Sequence, residues 1–181
     1  MTREEFFRKY LHLAKAVTNG TKVYPSVVLS VAALESANGT SKLTREANNF
    51  FGFKAGSSWK GDTYSIDTIE YVTDPLTGVK IQVTEKAKFR KYDLPADSFA
   101  DYVRLISDTP RYAKALTAQN ALDQVAAIRE AGYATDPNYV NKVATVMDSL
   151  KGWIDTLKKK ALSDILGEQY YCFWGIDISL K

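Results

Sequence analysis

Three residues in this chain have the type and setting to do acid–base chemistry, and Glu35 is foremost. It stands near the end of the run Pro25–Gly39. Wound at about 100° per residue, Val27, Val28, Val31 and Leu34 share one arc, and Glu35 falls inside it. A carboxylate on an apolar face loses hydration, which favours its neutral form and raises its pKa. That is the state a general acid needs near neutral pH. The plainer role is a glutamate at a groove edge, paired with a lysine or a backbone N–H. Glu70 is the second candidate, on a strand face shared with Ile66 and Thr68. Glycoside hydrolysis uses two acidic groups, one protonating the leaving oxygen and one assisting attack from the opposite face. A helix and a hairpin facing each other across a groove would place them so; a solvated cross-strand partner is the competing role for Glu70. Tyr133 is the third, between Gly132 and the Asp136–Pro137 pair. Its hydroxyl could serve a sugar or a catalytic carboxylate, or its ring could plug two helices.

The elements that must position these residues follow from periodicity. Phe6, Tyr10, Leu13 and Val17 recur at helical spacing, predicting a first helix over roughly residues 2–18. Pro25 suits the first position of the Glu35 helix and Gly39 the residue beyond its end. Residues 41–60, rich in Asn, Gly, Ser and aromatics, read as an irregular cleft-lining loop. The period then changes: residues 64–72 alternate, Asp74–Gly78 reads as a turn, and Val79, Ile81 and Val83 continue on a return strand. Helices resume at Pro95, with an apolar stripe of Phe99, Tyr102, Val103 and Ile106, and Pro110 opens a further short helix. Leu122, Val125 and Ile128 belong to a helix that stops at Gly132. Asp136 reads as an N-cap before the first-turn Pro137 of a helix carrying Val140, Val143, Met147 and Leu150. The expected organisation is one domain over residues 1–155 and a C-terminal appendage over 156–181, whose apolar residues are expected to pack on the domain.

Composition excludes more than it selects. A chain of 181 residues, 45% hydrophobic and 25% charged, is ample for one domain with a real core. A net charge of +3 is too weak to argue for nucleic acid, and compatible with an anionic polymer. His12 is the only histidine and Cys172 the only cysteine, so a multi-histidine zinc site and an internal disulfide are ruled out. No metal or organic cofactor is expected, and any bond cleavage falls to carboxylates and hydroxyls. The N-terminus mixes charge signs and lacks the apolar core of an export signal. No stretch approaches the roughly 18 apolar residues of a membrane span. Trp59, Tyr71, Phe89, Tyr92 and Tyr139 are candidate sugar-stacking or wall residues, with core packing as the competing role. Trp59, in a loop of Gly, Ser and Lys, is the best placed of them.

Four segments taken in order carry a family resemblance: residues 33–39 around Glu35, 48–54 around Asn49 and Gly52, 68–71 around Glu70, and 132–137 around Tyr133. Together they resemble the bacterial and phage N-acetylglucosaminidases of glycoside hydrolase family seventy-three, over roughly residues 5–150. The resemblance implies a mostly α-helical (α+β), lysozyme-like lobe with a small β-hairpin lobe over the cleft. It implies cleavage of the β-1,4 bond after N-acetylglucosamine in peptidoglycan. By position, Glu35 matches the general acid, Glu70 the β-lobe acidic residue, and Tyr133 the tyrosine that helps hold the reacting sugar or water. Asn49, Phe51, Gly52 and Lys54 match the segment lining the cleft, with Phe53 where a small aliphatic residue is common. Three routes stay open: Glu70 as base on a water with carboxyls roughly 6.5–9.5 Å apart, Glu70 as nucleophile at about 5–5.5 Å, or attack by the substrate's own 2-acetamido group. A muramidase, a lytic transglycosylase or a non-catalytic wall-binding module on the same fold are the alternatives. The expected partner is a peptidoglycan glycan strand, with no nucleic acid and no membrane span, bound by a monomer at the bacterial cell wall. Without an export signal, the chain fits a phage lysin, an excised domain or an effector delivered by a secretion machine.

Overall fold

The structure is a computed structural model that describes residues 1–167, with Glu70 and Tyr71 described through the backbone of their strand. Among the described residues, six α-helices, one 3-10 helix and one antiparallel hairpin follow in the order α1 Arg3–Thr18, α2 Pro25–Glu35, α3 Lys42–Ala47, β1 Thr63–Thr73, β2 Lys80–Arg90, α4 Pro95–Asp108, the 3-10 helix Pro110–Thr117, α5 Ala121–Glu130 and α6 Tyr139–Gly167. The architecture is α+β, a helical lobe carrying a two-stranded sheet, as the sequence predicts.

Local chemistry explains where the elements begin. Thr2 and Glu5 form a reciprocal cap on α1: the Glu5 N–H donates to Thr2 Oγ1 at 3.2 Å and the Thr2 N–H to Glu5 Oε2 at 2.7 Å. Pro25 starts α2, and the preceding Tyr24 N–H is held by Gln124 Oε1 at 2.9 Å. In the hairpin turn, the Asp74 carboxylate accepts from the Leu76 N–H and the Thr77 hydroxyl. The register pairs Thr63 with Arg90, Ile66 with Ala87 and Glu70 with Val83.

Two expectations are corrected. The segment read as an irregular loop contains α3, whose N-cap Ser41 accepts from the Thr44 N–H at 3.1 Å and whose C-cap Asn48 is left-handed. Six residues are too few for a helical period to register in sequence, so only the caps could have signalled it. Helix α6 begins at Tyr139, two residues after Pro137; Asp136 Oδ1 accepts the Asn138 N–H at 2.8 Å in the turn leading in. That helix runs on through Lys158–Lys160 to Gly167; among its residues with described side chains, the last buried ones are Trp153 and Ile154. Residues 168–181, including Cys172, lie outside the described residues.

Helix α2 occupies the centre of the helical lobe and packs against α1, α4, α5 and α6. Every residue from Val27 to Ala33 is buried. The one-sided apolar arc read from the sequence is therefore an all-round apolar helix, which is what a central position demands. An aromatic cluster of Phe6, Tyr10, Phe50, Phe51, Phe99 and Tyr102 fills the space between α1, α4 and the segment after α3. The hairpin packs on α3, and its base is sewn to the segment after α3 by Ala55 N–H to Lys88 O at 2.8 Å and Arg90 N–H to Phe53 O at 2.9 Å. Beyond that base it carries exposed Val72, Leu76, Val79 and Ile81. Among the described residues no helix is long and apolar enough to cross a membrane.

Candidate active site

Glu35 is the last residue of α2, and the helix stops there because the chain turns sharply left-handed. Ala37, Asn38 and Gly39 have φ of 51°, 54° and 75°. Ser36 makes the stop: its hydroxyl donates to Ala32 O at 2.6 Å and accepts the Gly39 N–H at 2.7 Å. Glycine suits Gly39 through its φ, since the Met1 Cε that an added Cβ would meet at 2.7 Å is the movable end of a flexible side chain. Glu35 is thus the point where a buried helix reaches the surface, and its side chain is exposed into a cleft. It does not share the burial of Val27, Val28 and Val31. Protein nevertheless surrounds the carboxylate on most sides, and this desolvation raises its pKa, opposed in part by a hydrogen bond from Tyr139. A carboxylic acid so placed keeps its proton to higher pH and can deliver it to a bound oxygen.

A tyrosine cluster backs the carboxylate. The Tyr139 hydroxyl, from the first turn of α6, donates to Glu35 Oε1 at 3.0 Å. Tyr133 sits on the tight α5–α6 connection, where Gly132 adopts a φ of 86° that L side chains rarely reach. The Tyr133 ring lies 6.0 Å from that of Tyr139 and meets Tyr102 edge-on at 5.6 Å. The hydroxyls of Tyr133 and Tyr102 are buried and make no hydrogen bond among the described residues. Burial chiefly, with the charge of Glu35 contributing, pushes both phenols upward and keeps them neutral.

The cleft has a volume of about 340 Å³, with Glu35 and Tyr133 on one part of its lining and Phe51, Gly52 and Lys54 on another. Phe53, Leu105, Arg111 and Tyr112 complete it. The structure therefore gathers Glu35, Tyr133, Phe51, Gly52 and Lys54 into one cavity, with Tyr139 bonded to Glu35 behind them. Phe51 lies flat on Tyr102 at 4.4 Å and is nearly buried. Asn49 is elsewhere: it is buried, its amide donates to Phe53 O and Arg90 O, and its Oδ1 accepts the Phe53 N–H. It clamps the cleft-lining segment to the base of β2. Trp59 lines a neighbouring groove of about 370 Å³ that meets the cleft at Leu105. Its indole N–H bonds Asp62 O at 2.9 Å, and the Arg90 guanidinium lies 4.9 Å above its ring. Tyr92 is buried, its hydroxyl on Asp101 at 2.6 Å, and Phe89 bridges Lys54 through its backbone.

Sequence reading did not single out Tyr102, Leu105, Arg111 or Tyr112 for the site. Tyr102 was legible only as one residue of the α4 core stripe, and nothing in spacing separates an aromatic that faces a cleft from one that faces a core. Among the described residues no group of His, Cys, Asp and Glu is placed to hold a metal ion.

Comparison with known proteins identifies the family and the fold. The glucosaminidase family model, described as mannosyl-glycoprotein endo-beta-N-acetylglucosaminidase, matches residues 11–152. The peptidoglycan hydrolase FlgJ of Salmonella typhimurium is 36% identical over 160 residues, covering 86% of this chain and 49% of that protein. The exo-glucosaminidase LytG of Bacillus subtilis is 33% identical over 131 residues, 70% of this chain and 44% of that protein. The chain spans about half the length of the FlgJ relative. In fold, the glycoside hydrolase domain of Salmonella typhimurium FlgJ superimposes with a TM-score of 0.74 and 32% identity, over 93% of this chain and 100% of that domain. With its four motif segments, its Glu35 cleft and a family match over most of its length, this chain belongs to the glucosaminidase family of glycoside hydrolases.

Proposed function

We propose that this chain hydrolyses the β-1,4 bond that follows N-acetylglucosamine in peptidoglycan, with Glu35 as the proton donor. The observation that carries the reading is a cleft-facing carboxylate whose pKa is raised by desolvation and whose position is fixed by Tyr139. In the reaction Glu35 gives its proton to the glycosidic oxygen as the C1–O bond breaks, and that oxygen leaves as the neutral 4-hydroxyl of the muramic acid. Charge then develops at C1, where a second group must assist. Glu70, on β1 of the hairpin, takes that role, either activating the water or orienting the 2-acetamido group for attack. Tyr133, in the cleft lining beside Glu35, helps hold the reacting sugar or water. Phe51, Gly52 and Lys54 shape the cleft, Trp59 and Tyr71 serve the sugars further out, and Asn49 acts by holding the cleft segment in place. The catalytic unit is residues 1–155, acting as a monomer on glycan strands at the bacterial cell wall. Relatives named as a peptidoglycan hydrolase and a glucosaminidase support this reading.

Mass spectrometry of purified peptidoglycan after digestion tests it. Fragments ending in reducing N-acetylglucosamine are expected, and Glu35→Gln should release none. Reducing-end or anhydro-muramic products would reassign the chain as a muramidase or transglycosylase, and no release by the wild type would leave a wall-binding module.

A further inference from the structure

Among the described residues, Arg111 is a cation in the cleft without a carboxylate to answer it. It follows Pro110 at the start of the 3-10 helix and is exposed into the same cavity as Glu35. The guanidinium is not loose: Nη2 donates to the Tyr112 hydroxyl at 2.6 Å, and the group lies 4.6 Å over the Tyr112 ring, which is fully buried. Arg90 and Arg104 both lean on Asp101, at 2.6 and 3.8 Å, whereas Arg111 forms no ion pair among the described residues. Glu35, the one carboxylate among the described residues lining the cleft, is engaged by Tyr139 instead. The sugar rings of a peptidoglycan strand are neutral; its negative charge resides on the arm at O3 of muramic acid, as a lactyl carboxylate or as carboxylates of the attached peptide. A guanidinium fixed at one nitrogen by a buried tyrosine still presents further N–H donors in a fork matched to such a group.

We propose that Arg111 is a specificity residue that receives a carboxylate of the muramic acid arm, so that the cleft distinguishes peptidoglycan from neutral glycans of the same linkage. This rests on the peptidoglycan reading above.

Steady-state rates of wild type and Arg111→Gln on native sacculi, and on sacculi whose carboxyls have been amidated with glycinamide, test it. Amidation should raise the wild-type KM about tenfold, the scale of one charge-assisted contact, with kcat little moved. Arg111→Gln on native sacculi should resemble wild type on amidated sacculi, and Arg111→Lys should recover part of the loss. Strands stripped of peptide by an amidase separate the two sources. A wild-type advantage over Arg111→Gln that persists on them assigns the lactyl carboxylate, and one that vanishes assigns the peptide; either supports the proposal. Equal wild-type rates on native and amidated sacculi, together with no wild-type advantage over Arg111→Gln on the stripped strands, would overturn it while leaving the peptidoglycan activity standing. The same holds if Arg111→Gln falls by one factor on both substrates, since Arg111 would then only be propping Tyr112. No cleavage of native sacculi by the wild type would instead remove the peptidoglycan reading itself.

Discussion

An ionised Glu35 is a charge that the folded chain disfavours, and both stability and catalysis should register it. Its folded pKa is raised by desolvation, so its favourable contribution to folding is complete below roughly pH 4.3, the unfolded value, and is lost as pH rises through the folded value. Glu35→Gln keeps an acceptor for Tyr139 and removes the charge. The variant should therefore melt above wild type at pH 7, and the difference should close on acidification; calorimetry across pH measures both. Tyr139 acts in the other direction, because its hydrogen bond favours the carboxylate. Tyr139→Phe should raise the Glu35 pKa further and move the basic limb of the kcat/KM profile to higher pH. An unmoved limb in that variant would mean that Glu35 is not the group titrating in the rate.

Among the elements, the segment from Asn48 to Lys54 depends on one buried side chain. Asn49 satisfies the Phe53 N–H, Phe53 O and Arg90 O together, joining the cleft lining to the end of β2. Replacing it by alanine leaves the Phe53 N–H and Arg90 O without this partner, while Phe53 O keeps the Arg90 N–H, at a cost of about 2 kcal/mol in a denaturant titration. Activity should fall with the ordering of the Gly52–Lys54 lining rather than through any contact with sugar. The sequence motif around Asn49 was legible, but its purpose was not. A conspicuous asparagine between aromatics reads equally well as a ligand for sugar or as a clamp on backbone, and only its partners distinguish the two. Helix α3 was lost to sequence reading for a different reason, its six residues being under two turns.

At the scale of the molecule, the helical lobe and the hairpin are unequally integrated. Helices α1, α4, α5 and α6 bury α2 on all sides, while the hairpin rests on α3 and the loop after it and exposes Leu76 and Val79 to solvent. The core should therefore not need the distal hairpin. Replacing residues 67–86 by a short Gly-Ser turn between the register partners Ile66 and Ala87 should leave the helical circular dichroism and the cooperative melt nearly intact. Turbidity clearing should fall by about two orders of magnitude or more, the scale of losing one catalytic carboxylate, if Glu70 contributes as proposed.

By itself the sequence determined the helical lobe, the hairpin and its turn, the helix that ends at Glu35, and the four segments that mark the family. These are local matters of period, capping and residue order, and the chain states them one stretch at a time. Tertiary structure decided the rest. It made α2 apolar all round, so that Glu35 owes its desolvation to the walls of a cleft rather than to an apolar stripe. It brought Tyr139 from 104 residues away onto the Glu35 carboxylate. It set Asn49 to hold backbone, put Trp59 in the neighbouring groove, and left Arg111 facing the site. Each of these depends on which distant surfaces meet, and proximity between residues far apart along the chain leaves no period in the sequence to read.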